Sequence, residues 1–314
     1  MIRPSIILAF VATIVTAGVT GLVAVWLFKL AGLEGMLLGS ILAGTDGAAV
    51  FALLRGTNLP PRLAKTLEGE AGLNDPVAVL LVLGLIHVIS DPAYGWTRVD
   101  LLFAQELVIG AAVGLGLGWL AVRVMQRART VPEGLQLVAS VSTLALAFGA
   151  TDVLHGSGFL AVFLSGLVVE SADIPARRAV FAFHEGLASV AEIGMFFALG
   201  LLVFPSELGS VAIRGTVLAL VVAFLARPVA AFLATAMEHF SHRERLVLGW
   251  AGLRGAVPVV LATFPVIADI PRSMEFFNIV FFAVLVSTLI QGATVEPLAR
   301  GLGVIRAGES DPSR

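Results

Sequence analysis

The chain contains no cysteine, so neither a disulfide framework nor a thiolate metal site is open to it. Charge is scarce too. Only 13% of the residues are Asp, Glu, Lys or Arg, against about 25% in soluble domains. An ordinary soluble domain is therefore excluded. No linker between apolar runs is long enough to hold a separate soluble domain. The net charge of −2 says nothing about partners, and no nucleic acid is expected among them. The opening run, Pro4 to Phe28, exceeds the apolar region of a signal peptide and lacks a convincing cleavage site.

What is present is apolar. Hydrophobic residues make up 58% of the 314, and the mean hydropathy is +0.98. This is the composition of a polytopic membrane protein. Run length predicts about ten membrane helices, at roughly Pro4–Phe28, Leu33–Leu54, Thr66–Ile89, Val99–Met125, Gly134–Val153, Gly158–Val169, Leu187–Phe204, Val211–Met237, Leu246–Ala268 and Met274–Leu298. With Met1 cytoplasmic, fourteen Lys and Arg residues fall on the inner side. Four fall outside (Lys29, Arg98, Arg214 and Arg272), and Arg227 and Arg254 lie within membrane helices. That bias predicts both termini in the cytoplasm. Residues 1–306 form one transmembrane region, and 307–314 a polar cytoplasmic tail.

The chemistry concentrates at the third helix. Glu68, Glu70, Asn74 and Asp75 precede Pro76 and a long apolar run. Each acid near a helix centre costs roughly 2.5–3.5 kcal/mol to insert, so three cost on the order of 8–10. The twelve Leu, Ile and Val residues of this helix offset only about 4–7 kcal/mol. The acids must face protein, water or an ion, and are candidates for function by default. Glu70 and Asn74, four apart, share a face. Asp75 lies about 100° further round. Pro76 deprives the Gly72 carbonyl of its helical partner, which predicts a loosened helix offering oxygen ligands suited to a hard cation. The plainer reading is a buried ion pair that only holds helices together.

Two other helices are irregular in sequence. Gly44-Thr45-Asp46-Gly47 puts an acid between glycines in the middle of the second. Irregular backbone in a membrane is tolerated only where protein or a water-filled cavity surrounds it, and broken helices build ion sites in many transporters. In the ninth, Arg254 stands mid-membrane before Pro258 and needs a carboxylate, for which Glu70 is the first choice. Arg227, nearer a cytoplasmic helix end, is read as snorkelling. Other polar residues carry less. Glu106 and Glu192 line a cavity or pair locally, Asp152 and His155 are solvated, His87 is interfacial, and Ser287, Thr288 and Gln291 make helix–helix hydrogen bonds. Gly156-Ser157-Gly158 superficially resembles a nucleophile turn, but no His stands convincingly at matching depth.

Four stretches together resemble the monovalent cation/proton antiporters of the sodium/proton exchanger superfamily, in particular the bacterial potassium/proton, cell-volume-regulation branch. They are Gly44-Thr45-Asp46-Gly47-Ala48-Ala49-Val50-Phe51, Glu70-Ala71-Gly72-Leu73-Asn74-Asp75-Pro76, Gly156-Ser157-Gly158-Phe159-Leu160-Ala161-Val162 and Leu253-Arg254-Gly255-Ala256-Val257-Pro258. The resemblance implies an inverted-repeat, all-α antiporter fold in the cell membrane. Asp75 is then the carboxylate that alternately binds proton and cation, and Thr45, Asp46 and Asn74 stand beside it. Thr45, Asp46 and Asp75 are the expected ligands of a monovalent cation, Na+ or K+. Glu70 and Arg254 are a structural pair. Asn74 occupies the place of an aspartate in electrogenic relatives, so one-for-one, electroneutral exchange is expected. The chain departs from the family pattern at Ala71, often a serine whose hydroxyl helps to coordinate the ion. The family also has further helices before the one starting at Pro4, so an N-terminal truncation is expected. A homodimer is implied and no cofactor. The rival readings are a cation channel, a transport-inactive fragment and an intramembrane hydrolase.

Overall fold

The structure is a computed structural model, and it describes residues 2–46, 59–91, 95–128, 131–203 and 205–305. Every element is helical. In chain order they are α1 (Ile2–Ile7), a π-helical turn (Leu8–Ala12), α2 (Thr13–Phe28), α3 (Gly32–Ile41), α4 (Pro61–Ser90), α5 (Trp96–Arg127), α6 (Glu133–Val153), α7 (Gly158–Ser171), α8 (Arg177–Leu201) and α9 (Pro205–Val221). A second π turn (Val222–Ala226) leads into α10 (Arg227–Ala234). Then come α11 (His242–Trp250), α12 (Ala256–Leu261), α13 (Thr263–Ile267), α14 (Ser273–Ser287), a third π turn (Thr288–Gly292) and α15 (Ala293–Gly301). Among the described residues, seven helices are long and apolar enough to cross a membrane, and three shorter apolar ones accompany them: Gly32–Ile41, Gly158–Ser171 and Ala256–Ile267.

Local sequence explains where these helices start. Glu34 accepts the Ala31 N–H at 3.0 Å at the head of α3. At α11 the Ser241 hydroxyl accepts from the Glu244 N–H (3.3 Å) while the Glu244 carboxylate accepts from the Ser241 N–H (2.7 Å), a reciprocal cap. Pro61 opens α4, where its missing N–H costs nothing.

The structure alters four sequence expectations. The predicted second helix stops early: α3 ends at Ile41, residues 44–46 are irregular, and Gly47 to Leu54 lie outside the described residues. The predicted ninth helix is split into α11, α12 and α13. Its first break lies at Ala251–Gly255, before Pro258 rather than at it. Pro258 is the third residue of α12, within the first turn, where a missing N–H has no helical partner to lose. At Pro76 the opposite holds. Helix α4 runs through it unbroken, because one lost bond in a 30-residue helix is held by the packing on either side. Helix α8 also begins ten residues earlier than predicted, at Arg177 rather than Leu187.

The chain divides into two compact units. One comprises Met1–Ala93 and Leu199–Arg314, the other Tyr94–Ala198. In the first, a core of Leu8, Leu63, Leu67, Ala230, Val247 and Leu248 joins several helices. There α2 and α3 cross backbone to backbone. A Cβ on Gly39 would lie 2.2 Å from the Ala17 carbonyl oxygen, so only glycine permits the approach. In the second unit, α5 and α7 cross in the same manner at Gly110 and Gly114, and the Ser165 hydroxyl donates to the Gly114 carbonyl at 2.8 Å.

Candidate functional site

The polar centre lies wholly within the first unit, where the two broken chain segments meet α4. The ends of α3 and α11 leave backbone groups without helical partners, and buried side chains take them up. The Arg254 guanidinium donates through Nη1 to the carbonyls of Ala43 (3.0 Å) and Gly44 (2.6 Å). The two segments also bond directly, Asp46 N–H to Leu253 carbonyl at 2.8 Å. Helix α14 and its π turn hold the other side of the break. Ser287 accepts the Arg254 N–H (3.2 Å), Thr288 donates to the Arg254 carbonyl (3.3 Å), and Gln291 donates to the Trp250 carbonyl (3.1 Å) while accepting from Ser287 (2.6 Å). The polar stripe expected on the last helix is thus a clamp on the break in the ninth.

The buried ion pair differs from the one expected. Glu70 Oε1 lies 2.8 Å from Nη2 of Arg227, not of Arg254. Glu70 and Arg254 are not within 4 Å of each other, since no ion pair joins them among the described residues. The reason is geometric. Arg254 sits on an extended stretch that aims its side chain at the end of α3, whereas Arg227 opens α10 just after a π turn. Arg227 does not snorkel: it is 1% exposed. Gly252 makes room for it, because a Cβ there would stand 2.1 Å from Arg227 Nε.

Beside this pair stand the candidate ion ligands. Asn74 is fully buried. Its Nδ2 donates to the Thr45 hydroxyl at 2.6 Å and reaches the Ala43 carbonyl at 3.4 Å, and its Oδ1 accepts from the Thr13 hydroxyl at 2.5 Å. Asp75, the next residue, is partly buried, and its Oδ1 is closed to solvent with no hydrogen-bond donor. The Asp46 carboxylate is within electrostatic reach of Asp75 and packs against Gly255, where a Cβ would meet Oδ2 at 1.8 Å. Asn74 thus bonds Thr45 directly, and Asp46 and Asp75 interact electrostatically.

The secondary candidates separate from this centre. Glu68, His87, Asp152 and His155 are exposed, and Glu106 and Glu192 are half-buried. Glu106 and Glu192, together with Ser157, belong to the second unit. Ser157 caps α7, its hydroxyl accepting from the Leu160 N–H at 3.3 Å, which accounts for it without a nucleophile. The residues that sequence reasoning passed over are Thr13, Gly252 and the true partner of Glu70. A lone threonine or glycine in an apolar helix carries no chemical signature until its neighbours are known.

A bundle of membrane-length helices with broken segments packed against an acid-bearing helix defines a polytopic membrane protein of the secondary-transporter class. The chain belongs to the family described as sodium/hydrogen exchanger, transmembrane, which matches residues 1–301. It is 39% identical over 300 residues to the K(+)/H(+) antiporter NhaP2 of Shewanella baltica, covering 95% of this chain and 52% of that one. It is 40% identical over 316 residues to the K(+)/H(+) antiporter NhaP of Alkalimonas amylolytica, covering 100% and 55%. The chain thus spans about half the length of these curated relatives. A third relative is the Na(+)/H(+) antiporter NhaH of Halobacillus dabanensis, 28% identical over 317 residues, covering 95% and 76%. Among solved structures, the sodium proton antiporter MjNhaP1 from Methanocaldococcus jannaschii superposes with a TM-score of 0.81 at 23% identity, over 96% of this chain and 79% of that one, and shares its fold.

Proposed function

We propose that the protein exchanges protons for a monovalent cation, Na+ or K+, across the cell membrane, with Asp75 alternately binding one and the other. The observation that carries this reading is the Asp75 Oδ1, closed to solvent and without a donor, on the residue next to the Asn74 that bonds Thr45. A buried carboxylate oxygen without a partner is costly. Either a proton or a cation relieves that cost, and one carboxylate takes only one of them at a time. Thr45 and Asp46 supply further oxygens for the cation, and Asn74 supports Thr45. Rocking of helix bundles against one another then exposes the loaded site to each side in turn. Because Asn74 is neutral, each half-cycle moves one charge and exchange is electroneutral. The family's members bear both sodium and potassium names, which supports the class of ion rather than a choice between the two. The loop charges support cytoplasmic termini, and the family resemblance supports a homodimer.

The test is cation-driven proton movement in proteoliposomes. Wild-type protein should show saturable exchange, and Asp75→Asn should abolish it. A cation conductance that persists without proton coupling, in wild type and in Asp75→Asn alike, would instead establish a channel.

A further inference from the structure

We infer, on the exchange reading given above, that Thr13 is a positioning residue that fixes the orientation of the Asn74 carboxamide and, through it, the Thr45 hydroxyl offered to the cation.

Asn74 has two unlike ends, and its surroundings distinguish them. The Ala43 carbonyl can only accept, so the amide nitrogen must face it. The amide oxygen is thereby turned towards α2, into a place that is completely closed to solvent. Its donor on that side is the Thr13 hydroxyl, 2.5 Å away and itself 1% exposed. Thr13 also contacts the Ala9 carbonyl, inside the π turn that precedes it. A hydroxyl has one proton and two lone pairs. When that proton serves Asn74, the amide is held. When it serves Ala9, two oxygens face each other with no proton between them. The first arrangement is the one that keeps Asn74 Nδ2 on Thr45 at 2.6 Å. π turns inside α-helices are frequent at functional sites.

The consequence lies at Thr45. Its hydroxyl oxygen accepts from Asn74, which spends one lone pair and leaves the other for a cation. Without Thr13 the amide oxygen lacks a donor, and the cheapest remedy is rotation of the carboxamide, which the Ala43 carbonyl opposes. Thr45 then loses a fixed orientation. Asp75 is untouched by this change, so proton binding remains while cation binding weakens.

Two variants isolate the hydroxyl. Thr13→Val keeps the shape and removes the donor, and Thr13→Ser keeps the donor. In proteoliposomes, Thr13→Val should raise the cation KM by about five- to tenfold, the worth of one buried hydrogen bond, with the maximal rate nearly unchanged. Thr13→Ser should stay near wild type. A second readout does not need transport. The chain has three asparagines, Asn58, Asn74 and Asn278, so the Asn74 side-chain amide can be followed by NMR in protein labelled with 15N at asparagine. That signal should move in Thr13→Val and hold in Thr13→Ser. An unchanged KM, or an unmoved amide signal, overturns the inference. If wild-type protein does not exchange cations, the exchange reading falls, and the amide signal alone decides whether Thr13 positions Asn74. Thr13→Ala serves as the second variant where Thr13→Val does not fold.

Discussion

Removing Arg227 should strand the buried Glu70 carboxylate, whereas removing Arg254 should not. The Glu70 carboxylate is 2% exposed, and its charged partner is Arg227 at 2.8 Å. Cutting a buried pair on one side leaves an uncompensated charge, at a cost of about 3–5 kcal/mol. In Arg227→Met that cost falls on Glu70, with a small further loss from the space beside Gly252. Arg254→Met removes donors from the Ala43 and Gly44 carbonyls instead. Those are two charge-assisted bonds to backbone, each about 1.5–3 kcal/mol, but no carboxylate is stranded. The distinction therefore lies in the coupling to Glu70 rather than in the raw losses. Glu70→Gln should rescue much of the stability lost in Arg227→Met and little of that lost in Arg254→Met. Apparent melting of purified protein in detergent measures this. At roughly 2–4 °C per kcal/mol for large domains, Arg227→Met should lower the midpoint by about 6–20 °C. Coupling of Glu70 to Arg254 that equals or exceeds its coupling to Arg227 would refute the assignment.

Three further outcomes are expected. Gly255→Ala drives a methyl group into the Asp46 carboxylate, which must move; exchange should fall by up to about 100-fold, as for an ångström-scale misplacement of a reacting group, and wild-type rates in that variant would show that Asp46 is not at the site. Gln291→Leu strands the Trp250 carbonyl and the Ser287 hydroxyl; it should cost about 1–3 kcal/mol of stability, read as a lowered melting midpoint, and an unchanged midpoint would count against the clamp on the helix break. Proton flux under an imposed diffusion potential should not respond to voltage, because net charge movement would couple transport to about 2.3 kcal/mol per charge per 100 mV; a steep response would assign a second titrating group, with Asp46 the first to test.

The membrane class, the acid-bearing helix and the two irregular segments were all legible in the sequence, because each rests on local composition. Glu70, Asn74 and Asp75 announce themselves as polar groups in a run that otherwise belongs in lipid. The spacing of Glu70 and Asn74 put both on one face, and both are buried. The partner of Glu70 was not legible. Two arginines stood at membrane depth, and the choice between them depended on where the break in the ninth helix fell. Pro258 suggested one place; the chain breaks earlier because proline is tolerated in a helix's first turn. That shift of a few residues turns Arg254 towards the end of α3 and leaves Glu70 to Arg227, 157 residues away along the chain. Thr13 was equally silent, since a threonine in an apolar helix most often bonds its own backbone. Local sequence determined which groups had to be buried and where helices could not continue. Which buried group meets which was decided only by the tertiary packing, because complementary charges and hydrogen-bonding atoms far apart in sequence carry no mark of their partner until the helices fix the distance between them.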